Sequence, residues 1–272
     1  MSNRIKVLYE ILRKSPPFVI AFSGGVDSTF LAAVASHVCS AEVVAMTADS
    51  VFLSDHELRF ARKMAGKLDI KHYVIPVEVL KNTDIIANGI DRCYFCKKTL
   101  FSALKDHAAS LGFSVIAHGI NIDDLEDFRP GIKAAREMGI FEPLIEAGLS
   151  KSEIRDESKK MGLDTWNMPA QSCLATRIPF GERITLEVLE RVEACESWLI
   201  ALGLHGVRVR CHGSIARIEC PSQMISTVAE KEMRDKIITL FKAHGFEFVA
   251  LDLGGYIQGS MNPEKNGNKI LF

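Results

Sequence analysis

The sequence predicts an α/β fold, a doubly wound parallel sheet followed by a smaller C-terminal α+β domain. Three observations carry this. Short apolar runs, Phe18-Val19-Ile20-Ala21-Phe22 and Val43-Val44-Ala45-Met46 after Glu42, have the character of strands buried on both faces. They alternate with helix-length segments, the rhythm of a parallel sheet covered by helices on both sides. After residue 167 that rhythm gives way to a long helix and an alternating hairpin. The expected domains are therefore 1–167 and 168–272, the second including the loop around Cys173.

Each element has a local reason. Ile5, Leu8 and Leu12 recur at helical spacing, and Pro16-Pro17 ends that helix. The strand 18–22 runs through a Ser-Gly-Gly turn into a helix over 27–37, and 42–46 is the second strand. Ser54 and Glu57 form a capping box that opens a helix reaching Leu68. Residues 72–75 read as a third strand, 97–111 as a helix and 114–117 as a fourth strand. Ser150 and Glu153 form a second capping box, before a helix that ends near Gly162. Residues 168–183 form a loop and 185–202 a long helix. The segments 207–211 and 215–219 alternate and join through His212-Gly213-Ser214 as a hairpin. Pro221 starts another helix, and 246–251 is a last strand. Right-handed crossovers leave a ligand crevice at the carboxyl ends of the parallel strands.

Composition narrows the function. The chain has 272 residues, 47% hydrophobic and 25% charged, which is ordinary for a globular protein of one large or two modest domains. Lys and Arg total 33 against 34 Asp and Glu, a net charge of -1 that excludes a strongly basic nucleic-acid footprint. Seven cysteines, an odd number, argue against a secreted disulfide framework and for a reducing compartment. Residues 1–15 carry too many charges for a signal peptide, and His37 and Glu42 interrupt the apolar stretch 30–48. The expectation is a soluble, cytoplasmic homo-oligomer with no membrane partner.

The strongest motif is Ser23-Gly24-Gly25-Val26-Asp27-Ser28, set between a buried strand and a helix. Two glycines let the backbone approach an anion, and the unpaired N–H groups and dipole of the helix favour negative charge there. No lysine follows the glycines, so this is not a Walker loop. The plain alternative is an ordinary βα turn. The hexapeptide matches the pyrophosphatase loop of the N-type ATP pyrophosphatases, which cleave ATP between its α and β phosphates. That resemblance implies that the loop holds the pyrophosphate half of ATP, with Ala21 and Phe22 leading into it. Thr47 and Ser50, at the end of the second strand, and Gly119, after the fourth, then border the nucleotide. Asp27 beside phosphates calls for a cation, and Mg²⁺ is the natural one; its alternative is a first-turn acid complementing the dipole.

The acidic stretch from Asn121 through Asp123, Asp124, Glu126 and Asp127 to Arg129-Pro130-Gly131 lies at the same edge. It is either a solvated loop or a magnesium or substrate site. Lys151 opens a helix, and a similarly placed lysine occurs in the related ATP pyrophosphatases; otherwise it is a surface lysine.

Arg92-Cys93-Tyr94-Phe95-Cys96-Lys97 is a CxxC placed immediately before a helix. Alone it reads as a redox pair, half a zinc knuckle or half an iron–sulfur site. No second CxxC completes a zinc site, whereas Cys173 offers a third thiol. Three thiolates on a [4Fe–4S] cluster leave one iron without a protein ligand, and that iron can carry sulfide. Cys39, Cys195, Cys211 and Cys220 fall in helix or strand patterns and read as small buried hydrophobes. His118 ends a strand and reads as structural.

Together these segments resemble the LarE family of ATP-dependent sulfur transferases, over nearly the whole chain. The resemblance rests on the glycine loop, Asp127-Phe128-Arg129-Pro130-Gly131, Gly148-Leu149-Ser150-Lys151 and Cys173-Leu174-Ala175-Thr176-Arg177-Ile178-Pro179-Phe180-Gly181. The hairpin with Arg208 and Arg210 and the ending Leu251-Asp252-Leu253-Gly254-Gly255-Tyr256 extend it. It implies a PP-loop (HUP-like) fold and a carboxylate on a pyridinium mononucleotide converted to a thiocarboxylate, in nickel-pincer cofactor synthesis. Cys93, Cys96 and Cys173 imply the cluster-dependent type, fed by inorganic sulfide or a sulfur-donor protein. Arg208 and Arg210 match family arginines near an anion pocket; their alternative is an exposed strand face. A tRNA thiolase, an amidating ligase related to NAD or GMP synthetase and a non-catalytic iron–sulfur scaffold remain alternatives.

Overall fold

The computed structural model describes residues 2–39, 42–126, 130–169, 171–257 and 259–261. Its elements are α1 (Asn3–Lys14), β1 (Phe18–Ala21), α2 (Val26–Val38), β2 (Val43–Asp49), α3 (Asp55–Lys67), β3 (His72–Pro76), α4 (Thr83–Ile86), α5 (Arg92–Ser110), β4 (Val115–His118), α6 (Pro130–Glu137), α7 (Pro143–Glu146), α8 (Lys151–Lys160), α9 (Leu186–Ala201), β5 (Arg208–His212), β6 (Ile215–Glu219), α10 (Ile225–Ala229), α11 (Lys231–Ala243) and β7 (Phe248–Leu251). The chain divides into two compact units, Met1–Val79 with Cys93–Gln171, and Leu80–Arg92 with Ser172–Phe272.

In the first unit the described strands form a parallel sheet in the order β3-β2-β1-β4. Alternation within the strands sends side chains to two cores. Phe18, Ile20, Ala45 and Ala117 pack with apolar residues of α1, α2, α3 and α8, whereas Val19, Val44, Met46 and Ile116 pack with Phe101, Leu104 and Ala135 from α5 and α6. A sheet with a core on each face is the predicted doubly wound arrangement. The chain passes from β1 to β2 and β3 on one side, then returns to β4 on the other. That switch point lies beside the loop after β1, where open α/β sheets take ligands. Both expected capping boxes form, Ser54 with Glu57 on α3 and Ser150 with Glu153 on α8.

The second unit has the sheet order β5-β6-β7, with an antiparallel hairpin and β7 parallel to β6. Its core joins Val192, Cys195 and Leu199 of α9 to Val209, Cys211, Ala216 and Ile218 of the hairpin and Phe241 of α11. Cys195, Cys211 and Cys220 are buried as expected, and burial pushes the Cys195 thiol up to about 12. Cys39 is half-buried at the end of α2.

Two features differ from the sequence reading. The helix expected from residue 97 begins at Arg92, so the CxxC forms its first turn rather than preceding it. The cause is the turn before it: Asn88 takes a left-handed conformation (φ 54°) and the Arg92 N–H donates to Gly89 O, at 3.0 Å. The segment Leu80–Arg92 also leaves the first unit and joins the second.

Asn88 explains that excursion. It is fully buried, and its Nδ2 donates to Pro179 O (2.7 Å) and Ile178 O (3.4 Å). Its Oδ1 accepts from Arg92, and its own carbonyl accepts from the Gly181 N–H at 3.0 Å. Asn88→Ala removes the side-chain bonds and strains the left-handed backbone. The expected loss is about 2–3 kcal/mol, read from denaturant unfolding; an unchanged midpoint would show that the knot is dispensable. Among the described residues no helix is long and apolar enough to cross a membrane.

Candidate active site

The loop after β1 is shaped by its glycines and serines. Gly24 has φ 72°, and a Cβ there would lie 2.8 Å from Ala61 Cα. Gly25 opens α2 with no side-chain cap, whereas Ser2, Ser54, Ser150 and Thr185 each cap their own helix with a hydroxyl. The starts of α7, α10 and α11 also lack a side-chain cap, so what distinguishes α2 is its place after the glycine loop, where the helix dipole favours an anion. Ser28 Oγ accepts from the Ser23 N–H at 3.3 Å, and Ser23 Oγ accepts from the Gly25 N–H at 3.3 Å. The two hydroxyls lie 3.2 Å apart and close the loop on itself. Gly119 underlies it: a Cβ there would meet Ser28 N at 2.7 Å and the Asp27 carbonyl carbon at 2.8 Å.

Other expected residues gather around this loop. Ala21 and Phe22 lead into it; the Phe22 N–H donates to Met46 O at 2.8 Å, while its ring is part of the core. Thr47 Oγ1 donates to Phe22 O (2.6 Å) and lies 2.8 Å from His72 Nε2, so its hydroxyl anchors the loop entrance. Ser50 is buried and its Oγ accepts from the Phe52 N–H at 3.4 Å. Lys151, brought by α8, donates through Nζ to Asp27 Oδ2, and its N–H donates to Asp123 Oδ2 at 2.9 Å. Asp124 Oδ2 accepts from the Asn121 N–H at 3.1 Å. Asp27 Oδ1 is buried with no hydrogen-bond partner. Burial raises the Asp27 pKa, Lys151 opposes the rise and Asp124 adds to it. A carboxylate with one buried, unpartnered oxygen and a second acid nearby could hold a cation. Asp127 and Arg129 lie outside the described residues. His118 faces Glu142 at 3.3 Å, and burial lowers its pKa.

Cys93 and Cys96, three residues apart in the first turn of α5, share one helical face and are half-buried. Tyr94 between them donates its hydroxyl to Glu137 Oε2 (2.6 Å), tying that turn to α6. Gly131 lies against the same turn; a Cβ there would stand 3.6 Å from Cys93 O. Among the described residues no three His, Cys, Asp or Glu side chains are placed to hold a single metal ion.

Cys173 belongs to the second unit, half-buried at the head of the 3-10 turn Leu174–Arg177. That turn is heavily anchored. Arg177 donates to Ser172 O (2.7 Å) and Cys173 O (3.1 Å), and its Nε and Nη2 bond the two oxygens of Glu196 at 2.8 and 2.9 Å. Glu196 also accepts from the Val209 N–H at 2.7 Å. Arg210 bonds Glu219 through two nitrogens (2.7 and 3.0 Å) and reaches Thr176 O at 2.9 Å. Arg92 reaches Ala175 O at 3.1 Å. Arg208 and Arg210 are buried, so the exposed-strand alternative is set aside. Burial, with help from Arg177, lowers the Arg208 pKa.

The sequence reading did not single out Arg177, Glu196, Glu219 or Asn88. Glu196 had a signal, a lone carboxylate on the stripe of Val192, Cys195 and Leu199. Asn88 had one too, the turn-forming Asn88-Gly89 pair.

Comparison with known proteins adds four similarities. Residues 17–90 match a family described as "Queuosine biosynthesis protein QueC". The chain is 40% identical over 262 residues to "Uncharacterized protein slr1717" of Synechocystis sp., covering 96% of this chain and 98% of that one. It is 34% identical over 263 residues to "Pyridinium-3,5-bisthiocarboxylic acid mononucleotide synthase" of Lactiplantibacillus plantarum, covering 96% and 95%. A partial match, 28% over 198 residues, reaches "tRNA-specific 2-thiouridylase MnmA" of Rickettsia africae, covering 57% and 53%.

Proposed function

The chain belongs to the LarE family of ATP-dependent sulfur transferases, and from that premise we propose that it adenylylates a carboxylate of pyridinium-3,5-biscarboxylic acid mononucleotide and replaces an oxygen of it by sulfur. The observation that carries the ATP half is the uncapped start of α2 with Lys151 and Asp27 beside it. A carboxylate is a poor electrophile because its charge is delocalised. Its attack on the α-phosphorus of ATP forms an acyl-adenylate and expels pyrophosphate. Hydrosulfide then attacks the acyl carbon, and AMP leaves.

The roles of the residues follow from their chemistry. The Ser23–Ser28 loop cradles the pyrophosphate with backbone N–H groups, and Gly119 keeps the loop in place. Thr47 and Ser50 border the adenosine, Thr47 by holding Phe22. Lys151 exchanges Asp27 for a phosphate oxygen as pyrophosphate charge develops. Asp27, with Asp124, would hold Mg²⁺; its unpartnered buried oxygen fits that task.

Cys93, Cys96 and Cys173 would hold a [4Fe–4S] cluster. The chemistry of the donor set suits it: Cys93 and Cys96 share one helical face in the first turn of α5, and Cys173 heads the turn Leu174–Arg177. A cluster gives each thiolate its own iron, so the trio need not gather around one ion. When bound, the cluster supplies an iron without a protein ligand, a place for inorganic sulfide or sulfide from a donor protein. Arg177 and Arg210 fix the carbonyls of the Cys173 turn, and Arg208 and Arg210 receive substrate anions.

Anaerobic reconstitution followed by iron and sulfide analysis tests the triad. Each single Cys→Ala variant is expected to lose iron, and any variant that retains it removes that residue from the set. Pyrophosphate release should require the mononucleotide. The partial thiouridylase match supports a second reading, a tRNA thiolase; release that requires RNA instead would favour it.

A further inference from the structure

Thr47 holds the carbonyl of Phe22, and its hydroxyl has a second neighbour, His72 Nε2 at 2.8 Å. Thr47 Oγ1 lies 2.6 Å from Phe22 O, and two oxygens that close need a proton between them. A carbonyl only accepts, so the single hydroxyl proton of Thr47 points at Phe22. Thr47 must then accept from His72, and Nε2 is the ring nitrogen that carries hydrogen. His72 opens β3, in register with Ala45 of β2, and its ring stands edge-on to that of Phe22 with centroids 5.7 Å apart. Burial, with help from Arg62, lowers the His72 pKa, so the ring is neutral at neutral pH and takes one tautomer.

The Phe22 peptide unit carries this order into the glycine loop. Phe22 C=O and Ser23 N–H lie in one plane, so a fixed carbonyl fixes the direction of that N–H. The Ser23 N–H donates to Ser28 Oγ at 3.3 Å, and Ser28 Oγ donates to Gly25 O at 3.3 Å. Gly25 O also accepts from the Thr29 N–H at 3.0 Å. The plane that contains Gly25 O contains the Val26 N–H as well, the first of α2, which has no acceptor within its own helix. One chain of donors and acceptors thus runs from β3, across β2 and the end of β1, to the start of α2. Every link donates in the same direction, and bonds so aligned polarise one another.

We propose that His72 is a positioning residue for ATP cleavage: through Thr47 it sets the peptide planes of the glycine loop and so aims the loop's N–H groups at the pyrophosphate. The assignment rests on the function proposed above for the identity of the ligand. His72 acts only through Thr47. Its ring proton occupies one lone pair of the hydroxyl and leaves the hydroxyl proton for Phe22 O, so the carbonyl is held by an oriented donor rather than by a free rotor.

The test is a calorimetric titration of the anaerobically reconstituted protein with pyrophosphate and Mg²⁺. His72→Phe keeps a ring beside Phe22 but has no donor, and should weaken binding about fivefold, the worth of one hydrogen bond. His72→Gln, whose amide can donate in place of the ring, should lose less than about twofold. Thr47→Val should lose at least as much as His72→Phe, and the double variant no more than Thr47→Val alone, because the chain is already cut. The KM for ATP should rise in parallel, with the KM for the mononucleotide unchanged. Nitrogen NMR of the histidine-labelled parent, with the His72 signal identified by its loss in His72→Gln, needs no functional variant and should show the Nε2–H tautomer. An Nδ1–H tautomer, equal losses in His72→Phe and His72→Gln, or losses that add in the double variant would overturn the assignment. A flat series in a protein that makes the thiocarboxylate would overturn it alone. A graded series in a protein that makes none would overturn the proposed reaction and leave the role of His72 standing, and no pyrophosphate binding by the parent would overturn both.

Discussion

Glu196→Ala is expected to lower folding stability by about 3–5 kcal/mol, the range for breaking a buried ion pair from one side. Glu196 is buried and makes three hydrogen bonds, two to Arg177 and one to the Val209 N–H. The substitution strips Arg177 of its counter-charge in a unit already rich in buried cations, and it opens a hole between α9 and β5. The damage should spread to the Cys173 turn, because Arg177 holds the Ser172 and Cys173 carbonyls. Glu196→Gln keeps the shape and an acceptor and should fall between alanine and the parent. Chemical denaturation reads the loss, and hydrogen exchange across 172–177 reads its spread. A loss below about 1 kcal/mol would place this pair with ordinary surface ion pairs.

Gly119→Ala should strike activity. The added methyl would stand 2.7 Å from Ser28 N and 2.8 Å from the Asp27 carbonyl carbon, which are backbone atoms with no flexible end to move aside. The first turn of α2 must therefore shift, and its N–H groups with it. Misplacing phosphate donors by a fraction of an ångström to an ångström costs on the order of 10²-fold in rate. Pyrophosphate formation should fall by that amount, with weaker Mg–ATP binding. Gly66→Ala, on α3 with nothing within 4 Å of the added carbon, is the matched control and should leave turnover intact. Equal activities of the two variants would remove Gly119 from the support of the loop.

What could be read from the sequence was the chemistry that is local in the chain. The glycine loop declares itself within six residues, and the capping boxes at Ser54 and Ser150 within four. Wholly apolar strands announced a sheet covered on both faces. Contacts that close over long separations left little trace. Lys151 reaches Asp27 across 124 residues, and Arg177 meets Glu196 only because the Cys173 turn folds back on α9. The hairpin shows how the period-two rule misleads. Arg208 and Arg210 alternate with apolar residues and so resemble a solvated face, yet that face is covered and Arg210 bonds Thr176 O. The CxxC was set before a helix because the reading lacked the Asn88 turn, which starts α5 five residues earlier than expected.

The most direct measurement of the whole account is mass spectrometry of the small molecules made by the anaerobically reconstituted protein with ATP, Mg²⁺, sulfide and pyridinium-3,5-biscarboxylic acid mononucleotide. The account expects AMP, pyrophosphate and a mononucleotide in which sulfur has replaced carboxylate oxygen, with the sulfur absent from the product of the Cys173→Ala protein. AMP and pyrophosphate accompanied by an unaltered mononucleotide, from protein carrying its full complement of iron, would contradict it.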